Sequence, residues 1–362
     1  MRIGIIGSRG IPNRYGGFEE LAEQLSVRLA KLGHEVYVYN GHRHPYAEKE
    51  YKGVKIIHKY DPEHRFGTVG QFIYDFNQII DARWRKFDVI LQLGYTSSGI
   101  WYWLMPKKSK VVTNMDGLEW KRSKYSNLVK RFLMRSERWV AKHSDLMVAD
   151  NVEIERYLHE KYGGQCVYIP YGAELFKSPN EEVLEPYHVQ KGQYNLVIAR
   201  MEPENHIREI LEGVKQSESD RIMLVMGNLD TPHGQMLTRT YKDSRIRFLH
   251  AEYNKEVVDN LRHFCHLYFH GHSVGGTNPS LLEAMACGAP IVAHKNEFNQ
   301  SVLKENGIYF ETAEDVAWAL DQDFQQDALN IMTKTNTNVI REHFTWKSIA
   351  DQYELIFSQV RI

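Results

Sequence analysis

Four segments of the 362-residue chain combine side chains that bind anions or move protons. The first is GSRGIPNRYGGFEE, residues 7–20, between an apolar run and a helical pattern. Its Gly7, Gly10, Gly16 and Gly17 let backbone N–H groups approach a ligand, and a helix start favours an anion. Arg9 and Glu19 add a charge of each sign. The spacing is not that of a dinucleotide loop. Tyr39, Asn40 and Gly41 stand where an acidic residue would hold a ribose. A nicotinamide is therefore disfavoured, and no cofactor is expected. The second segment, ARMEPEN (199–205), puts Arg200 at a strand end, where a guanidinium grips a diphosphate bidentately. The third, HGHSVGGTNPSLLEAMACGAPIVA (270–293), runs from a strand end through Gly275 and Gly276 into a helix at Pro279, with Asn278 as its N-cap. The N–H groups around Gly276, Thr277, Asn278 and Ser280 would point at a phosphate. Glu283, one turn in, would accept hydrogen bonds from sugar or ribose hydroxyls. Alternatively Glu283 only complements the helix dipole, and His270 and His272 are ordinary loop histidines.

The fourth segment, MDGLEWKR (115–122), offers Asp116 and Glu119 followed by Lys121 and Arg122. Asp116 either orients an acceptor hydroxyl or acts as a base, or it is merely an Asp-Gly turn. Asp150 is either catalytic or the N-cap of helix 152–158. No carboxylate motif suggests a metal centre, so no metal is expected.

These segments need elements to hold them. Apolar runs at 2–7, 35–39, 55–58, 89–93, 110–113, 145–149 and 166–169 read as strands, with helices over 19–32 and 125–142. The pattern restarts with strands at 194–199, 221–226, 246–249, 267–270 and 290–293 and helices at 207–216 and 279–287. The polar stretch 174–193 is the expected linker. Alternating strands and helices imply an α/β protein with two doubly wound, Rossmann-like domains. Ligands in such sheets bind beyond the carboxyl ends of the strands, so a cleft between facing domains is the expected site. The expected division is 1–175 for the first domain, 176–340 for the second, and 341–362 for a C-terminal helix returning to the first.

With 43% hydrophobic and 25% charged residues the chain is an ordinary globular protein. Its formal charge of −1 does not suggest a nucleic-acid partner. The charge is unevenly spread, however: residues 1–170 carry +8 and residues 171–362 carry −9. Three distant cysteines, Cys166, Cys265 and Cys287, fit a reducing compartment. The opening MRIGIIGSRG reads as strand and turn rather than a leader, so a cytoplasmic protein is expected. Residues 101–142 hold 11 Lys and Arg against three acids. Leu128, Phe132, Trp139 and Val140 are interspersed among those cations, after the aromatic run at 100–104. This pattern predicts peripheral docking on an anionic membrane face.

In these motifs the sequence resembles the retaining glycosyltransferases of family 4, whose fold is GT-B; LLEAMACGAPIVA (281–293) carries the closest match. The segments 1–25, 114–125, 149–158, 168–174 and 271–285 are similar to the bacterial rhamnosyltransferase branch. The resemblance implies transfer of a sugar, rhamnose from dTDP-rhamnose in that branch, with retention, during synthesis of capsule, O-antigen or cell-wall polysaccharide. The acceptor would be a saccharide or a lipid-pyrophosphate-linked one. It implies donor contacts from Arg200, Asn205, His206, Gly275, Gly276, Thr277, Asn278, Ser280 and Glu283. Acceptor contacts would come from Arg9, Gly10, Gly16, Gly17, Glu19, Lys121 and Arg122, with Asp116, Glu119 and Asp150 as catalytic candidates. Two departures stand out. The family's first signature glutamate falls on Gly275, and its second diphosphate cation, a lysine, falls on Asn205. An epimerase, or a non-catalytic sugar-binding protein on the same architecture, remains an alternative reading.

Overall fold

The computed structural model describes residues 1–122 and 125–361. The chain divides into two units, one of residues 1–171 with 346–362, the other of residues 172–345.

In the first unit the apolar runs become strands β1 (Arg2–Ile6), β2 (Glu35–Gly41), β3 (Glu50–Tyr51), β4 (Val54–Lys59), β5 (Val89–Leu93), β6 (Lys110–Asn114), β7 (Leu146–Ala149) and β8 (Cys166–Tyr168). They form one sheet in the order β3-β4-β2-β1-β5-β6-β7-β8, parallel except for the β3–β4 hairpin. Ile3 lies opposite Val36 on one side and Val89 on the other, and all three are buried. Such two-sided burial explains why the strands are continuously apolar instead of alternating. The helices are α1 (Gly17–Lys31), α2 (Glu63–Phe66), α3 (Thr68–Arg85), α4 (Asn127–His143) and α5 (Val152–Tyr162).

The second unit repeats the scheme with β9 (Tyr194–Ile198), β10 (Ile222–Gly227), β11 (Ile246–His250), β12 (Tyr268–His270), β13 (Ile291–His294) and β14 (Ile308–Phe310), all parallel, in the order β11-β10-β9-β12-β13-β14. Its helices are α6 (Ile207–Gln216), α7 (Pro232–Thr240), α8 (Lys255–Phe264), α9 (Pro279–Ala286), α10 (Glu297–Leu303), α11 (Ala313–Asp321) and α12 (Gln326–His343). Val197, Val225, Phe269 and Val292 from the strands pack with Ile210, Val214 and Val316 from α6 and α11. A last helix, α13 (Trp346–Arg361), belongs to the first unit. Its buried Tyr353 hydroxyl accepts a hydrogen bond from Asn114 Nδ2 at 3.1 Å, and Glu354 meets His34 at 3.3 Å.

In each sheet the chain winds outward in one direction and then the other. The order reverses between β1 and β5 and again between β9 and β12. At such a reversal the following loops diverge to opposite faces and leave a crevice at the carboxyl edge.

Candidate active-site loops

In the second unit the loops after β9 and β12 meet at this reversal. A Cβ on Gly271 would run into the Asn205 carbonyl oxygen, so glycine is what lets the two backbones touch. Ser273 donates from N and Oγ to the Glu204 carbonyl, at 3.1 and 3.0 Å, and His206 Nε2 lies 3.0 Å from Ser273 Oγ. The segments 199–206 and 270–283 are thus one structure, although 64 positions separate them.

Arg200 is 61% exposed and only loosely tied, 4.0 Å from Glu202 Oε1. Asn205 is buried and donates Nδ2 to the Arg200 carbonyl at 2.6 Å. Its amide closes the loop from within, which corrects the expectation that it faces a ligand. Asn278 caps α9 as expected, accepting from Ser280 N at 2.9 Å. The Ser280 hydroxyl turns inward instead, 2.7 Å from the Tyr268 hydroxyl and 3.2 Å from Arg262 Nη2. Thr277 is buried, while Gly276 lies in the half-exposed part of the loop.

Glu283 is held by a residue that carries no motif: Arg262 on α8, whose Nη2 lies 2.7 Å from Glu283 Oε2. Burial opposes the charge on Arg262, but the facing Glu283 and Asp259 carboxylates outweigh it and hold the guanidinium protonated. At Gly275, φ is +122°, with no atom within 4 Å of where a Cβ would sit. Space for a side chain exists there, but the backbone lies in a region that L-residues rarely adopt. Gly275 is therefore not simply a missing glutamate.

The first unit handles its glycine-rich loop differently. Gly7 N donates to Gln78 Oε1, Arg9 N to Glu19 Oε1, Ile11 N to Asn40 Oδ1, Asn13 N to Glu23 Oε2 and Tyr15 N to Asn13 Oδ1, all within 3.0 Å. Glu19, expected to touch an acceptor, is a buried bracket for the loop. Arg9 forks onto Glu63 at 2.9 and 2.7 Å and lies 3.7 Å over the Tyr15 ring. The expectation that these amides and Arg9 await a ligand is corrected: side chains of β2, α1, α2 and α3 satisfy most of them. Gly10 takes part in this bracing, its α-carbon face against Asn40. Gly16 caps α1 without a side chain, and Gly17 opens that helix.

After β6, Asp116 adopts φ +58°, left-handed for a residue with a side chain, and donates its N–H to Asn114 Oδ1 at 3.0 Å. Glu119 and Arg122 are both largely buried and pair with each other at 2.7 Å, so neither projects alone toward a ligand. Lys121 is exposed, 5.9 Å over the Trp120 ring. Asp150 is buried at the end of β7. The N-cap of α5 is its neighbour Asn151, which accepts from Glu153 N at 2.9 Å. That removes the capping explanation for Asp150. Burial raises the buried Tyr171 hydroxyl far above its usual range, and the negative charges of Asp116 and Asp150, then Tyr353 and Glu19, add to it.

The loop 115–122 is anchored by a residue that sequence reasoning missed. Glu137 on α4 is 1% exposed and accepts from Tyr95, Trp120, Tyr157, Tyr162 and Lys161 at 2.6 to 3.2 Å. Nothing in its local sequence marks it, since its partners lie on three other segments. Among the described residues no cluster of His, Cys, Asp or Glu is arranged to hold a metal ion.

Residues 183–338 match the family model described as Glycosyl transferases group 1. Over that segment the chain is similar to the group 1 glycosyltransferases. Residues 1–174 match a second model, described only as a domain of unknown function. A curated relative, an uncharacterized glycosyltransferase of Methanocaldococcus jannaschii, is 27% identical over 165 residues. That match spans 43% of this chain and 42% of the relative. Among solved structures, sucrose-phosphate synthase from Thermosynechococcus elongatus superposes with a TM-score of 0.80 at 16% identity, covering 99% of this chain and 98% of the other. Anabaena HepE in complex with UDP-glucose gives 0.76 at 14% identity, with 99% of each chain covered. Such identities speak for the fold alone, and that fold is GT-B.

Proposed function

We propose that the protein transfers a glycosyl group from a nucleoside diphosphate sugar, with retention, onto a saccharide or lipid-pyrophosphate-linked acceptor in bacterial surface polysaccharide synthesis. The proposed donor is dTDP-rhamnose. The observation that carries the reading is the fused pair of loops at the β9–β12 reversal, inside the segment that matches the transferase family. There the loosely held Arg200 supplies positive charge for a diphosphate, and Glu283, fixed by Arg262, supplies an acceptor for ribose hydroxyls. The HepE complex with UDP-glucose supports a sugar nucleotide as the ligand class. In the reaction the bond from the anomeric carbon to the diphosphate oxygen breaks. A bond to the acceptor oxygen forms on the same face, and the acceptor proton leaves. Arg200 offsets the charge that develops on the departing diphosphate, and Asp116 holds the acceptor hydroxyl. Within the second unit, Asn205 holds the Arg200 carbonyl, and Ser280 bonds the Arg262 that fixes Glu283.

The test is a donor screen of the full chain against lipid-pyrophosphate-linked GlcNAc and Glc, read by product mass. Addition of a deoxyhexose from dTDP-rhamnose is expected. Transfer of a hexose from UDP-glucose instead would overturn the rhamnosyl assignment, and absence of transfer from every donor would overturn the activity.

A lipid-linked acceptor fits one further surface. Along α4, Leu128, Arg131, Arg135, Arg138 and Lys142 share an outward stripe, with Leu128 79% exposed and Trp139 beside it. Trp103, 67% exposed, extends this stripe from the neighbouring turn toward Lys107 and Lys108. Two expected members are corrected: Val140 is buried, and Phe132 packs on Phe72 with ring centres 5.7 Å apart. Lys124 lies outside the described residues. No described helix is long and apolar enough to cross a membrane. Each cation near an anionic surface contributes about 1 kcal/mol. Reversing Arg135 and Arg138 to Glu should therefore lower binding to phosphatidylglycerol vesicles at least thirtyfold in flotation at low salt, with no change on neutral vesicles. Equal, negligible flotation of the unaltered protein on both would remove membrane docking from the reading.

A further inference from the structure

Four histidines gather at the carboxyl edge of the second unit's sheet, from three different loops. His270 ends β12, His272 follows it by two residues, His294 ends β13, and His206 precedes α6. They form two face-to-face pairs. The His206 and His294 rings are 3.9 Å apart and 20° from parallel, and the His270 and His272 rings are 4.5 Å apart and 18° from parallel. His294 also lies close enough to His270 to oppose a charge on it.

The pairs are built for neutral rings that are ready to gain charge. Two imidazolium ions cannot share a 3.9 Å stack at modest cost. His294 Nδ1 lies 3.2 Å from the Asn296 amide nitrogen, which is also 3.0 Å from two carbonyl oxygens and so acts as a donor. His294 Nδ1 therefore accepts, as a neutral ring does. Burial, then His206, push His294 down to about 4. Burial, then Arg262 and His294, push His270 down to about 3. His270 is 1% exposed, and neither ring nitrogen has a hydrogen-bond partner among the described residues. Any protonation state of imidazole carries at least one N–H, and leaving it buried and unpaired costs about 1–3 kcal/mol. An anion seated among the rings would satisfy that donor and reverse the sign of the local field.

Other charges around the cluster leave this role open. Arg262, on α8, is committed to Asp259 and Glu283. Lys295, after His294, is paired with Glu311 at 3.2 Å. On α6, Glu209 lies 3.6 Å from His206 Nδ1. Glu202 and Glu204 share the loop with Arg200, which carries one positive charge against the two of a sugar nucleotide's diphosphate. Asn205, turned inward, adds none.

We propose that His206, His270, His272 and His294 form the second half of the diphosphate site, taking up a proton from solvent when a sugar nucleotide binds. The proposal rests on the reading of this unit as the donor site. It assigns the missing positive charge to imidazoles, whose charge appears only when the ligand is present.

The probes are dTDP-rhamnose and UDP-glucose, whose phosphodiester groups hold no proton that titrates near neutral pH. Calorimetric titration of the full chain in Pipes and in Tris, which differ in ionisation enthalpy, reads proton uptake directly. Binding raises the histidine pKa, so uptake accompanies it, and affinity falls as pH rises through the bound-state value. The expected result is uptake of roughly half to one proton near pH 7, with Kd rising about tenfold between pH 6 and pH 8. His206→Gln and His294→Asn should each abolish most of the uptake and flatten the pH dependence. Tight binding with no uptake and a flat profile would overturn the imidazole assignment and leave the donor reading intact. Uptake that persists unchanged in both variants and in His270→Gln would also overturn the assignment. Failure of any sugar nucleotide to bind would overturn the donor reading and this proposal together.

Discussion

Asp116→Asn is expected to lower kcat at least a hundredfold while leaving the melting temperature within about 2 °C. The two halves of this expectation have separate causes. Asp116 sits at φ +58°, where asparagine is at least as comfortable as aspartate, and its backbone N–H is donated to Asn114 Oδ1. Asparagine keeps that backbone geometry and that bond. A side-chain-bearing residue held in the left-handed region at a strand's carboxyl end is a feature that functional loops retain despite its cost. Asparagine keeps the shape but can neither take a proton nor carry the negative charge that draws in a hydroxyl. Turnover by dTDP-rhamnose consumption, paired with a thermal melt, checks both halves. Full activity in the variant would remove Asp116 from the chemistry. Gross unfolding would show that the carboxylate is structural.

Glu137→Ala is expected to destabilise the first unit by about 3–5 kcal/mol, roughly a 10 °C fall in its melting transition. The substitution deletes one buried carboxylate and strands Tyr95, Trp120, Tyr157 and Tyr162 as unpaired donors, together with the Lys161 charge. Because Tyr95 and Trp120 flank the loop of Asp116, activity should fall well below the melting transition too. Glu137→Gln keeps the volume and one acceptor oxygen and should recover part of the stability. A shift of less than about 2 °C in the alanine variant would show that water replaces the carboxylate, and the network would lose its anchoring role.

Much of the fold was legible from composition and pattern. Buried parallel strands are apolar on both faces, so β1, β5, β6, β9 and β10 stand out as continuous hydrophobic runs whatever surrounds them. The helix start at Asn278–Pro279 was also visible, because capping is a local interaction between residues two positions apart. Less was legible where faces are mixed. The helix α3 carries Gly70, Asp75 and Gln78 on its buried side, which blurs its apolar stripe. The elements after residue 294 likewise raised no expectation beyond a terminal helix.

The residue types that bind anions and hydroxyls were evident from the sequence: Arg200, Asp116 and the histidines lie at strand ends or in the loops that follow, and Glu283 lies in the helix after one such loop. Which of their atoms are available is a different matter, decided only by the tertiary structure. Asn205 looked like a ligand contact and is a strut, because the nearest acceptor for its amide is the carbonyl five residues back. The amides of the glycine-rich loop looked open and are bracketed by Glu19, Glu23 and Asn40. Arg262 and Glu137 looked like ordinary helical charges and became the fixed points of their units. Motif and cap are short-range properties, readable along the chain. Pairing in a buried site is settled by contacts across tens or hundreds of positions, because a buried polar atom must take whichever partner the fold brings within 3 Å.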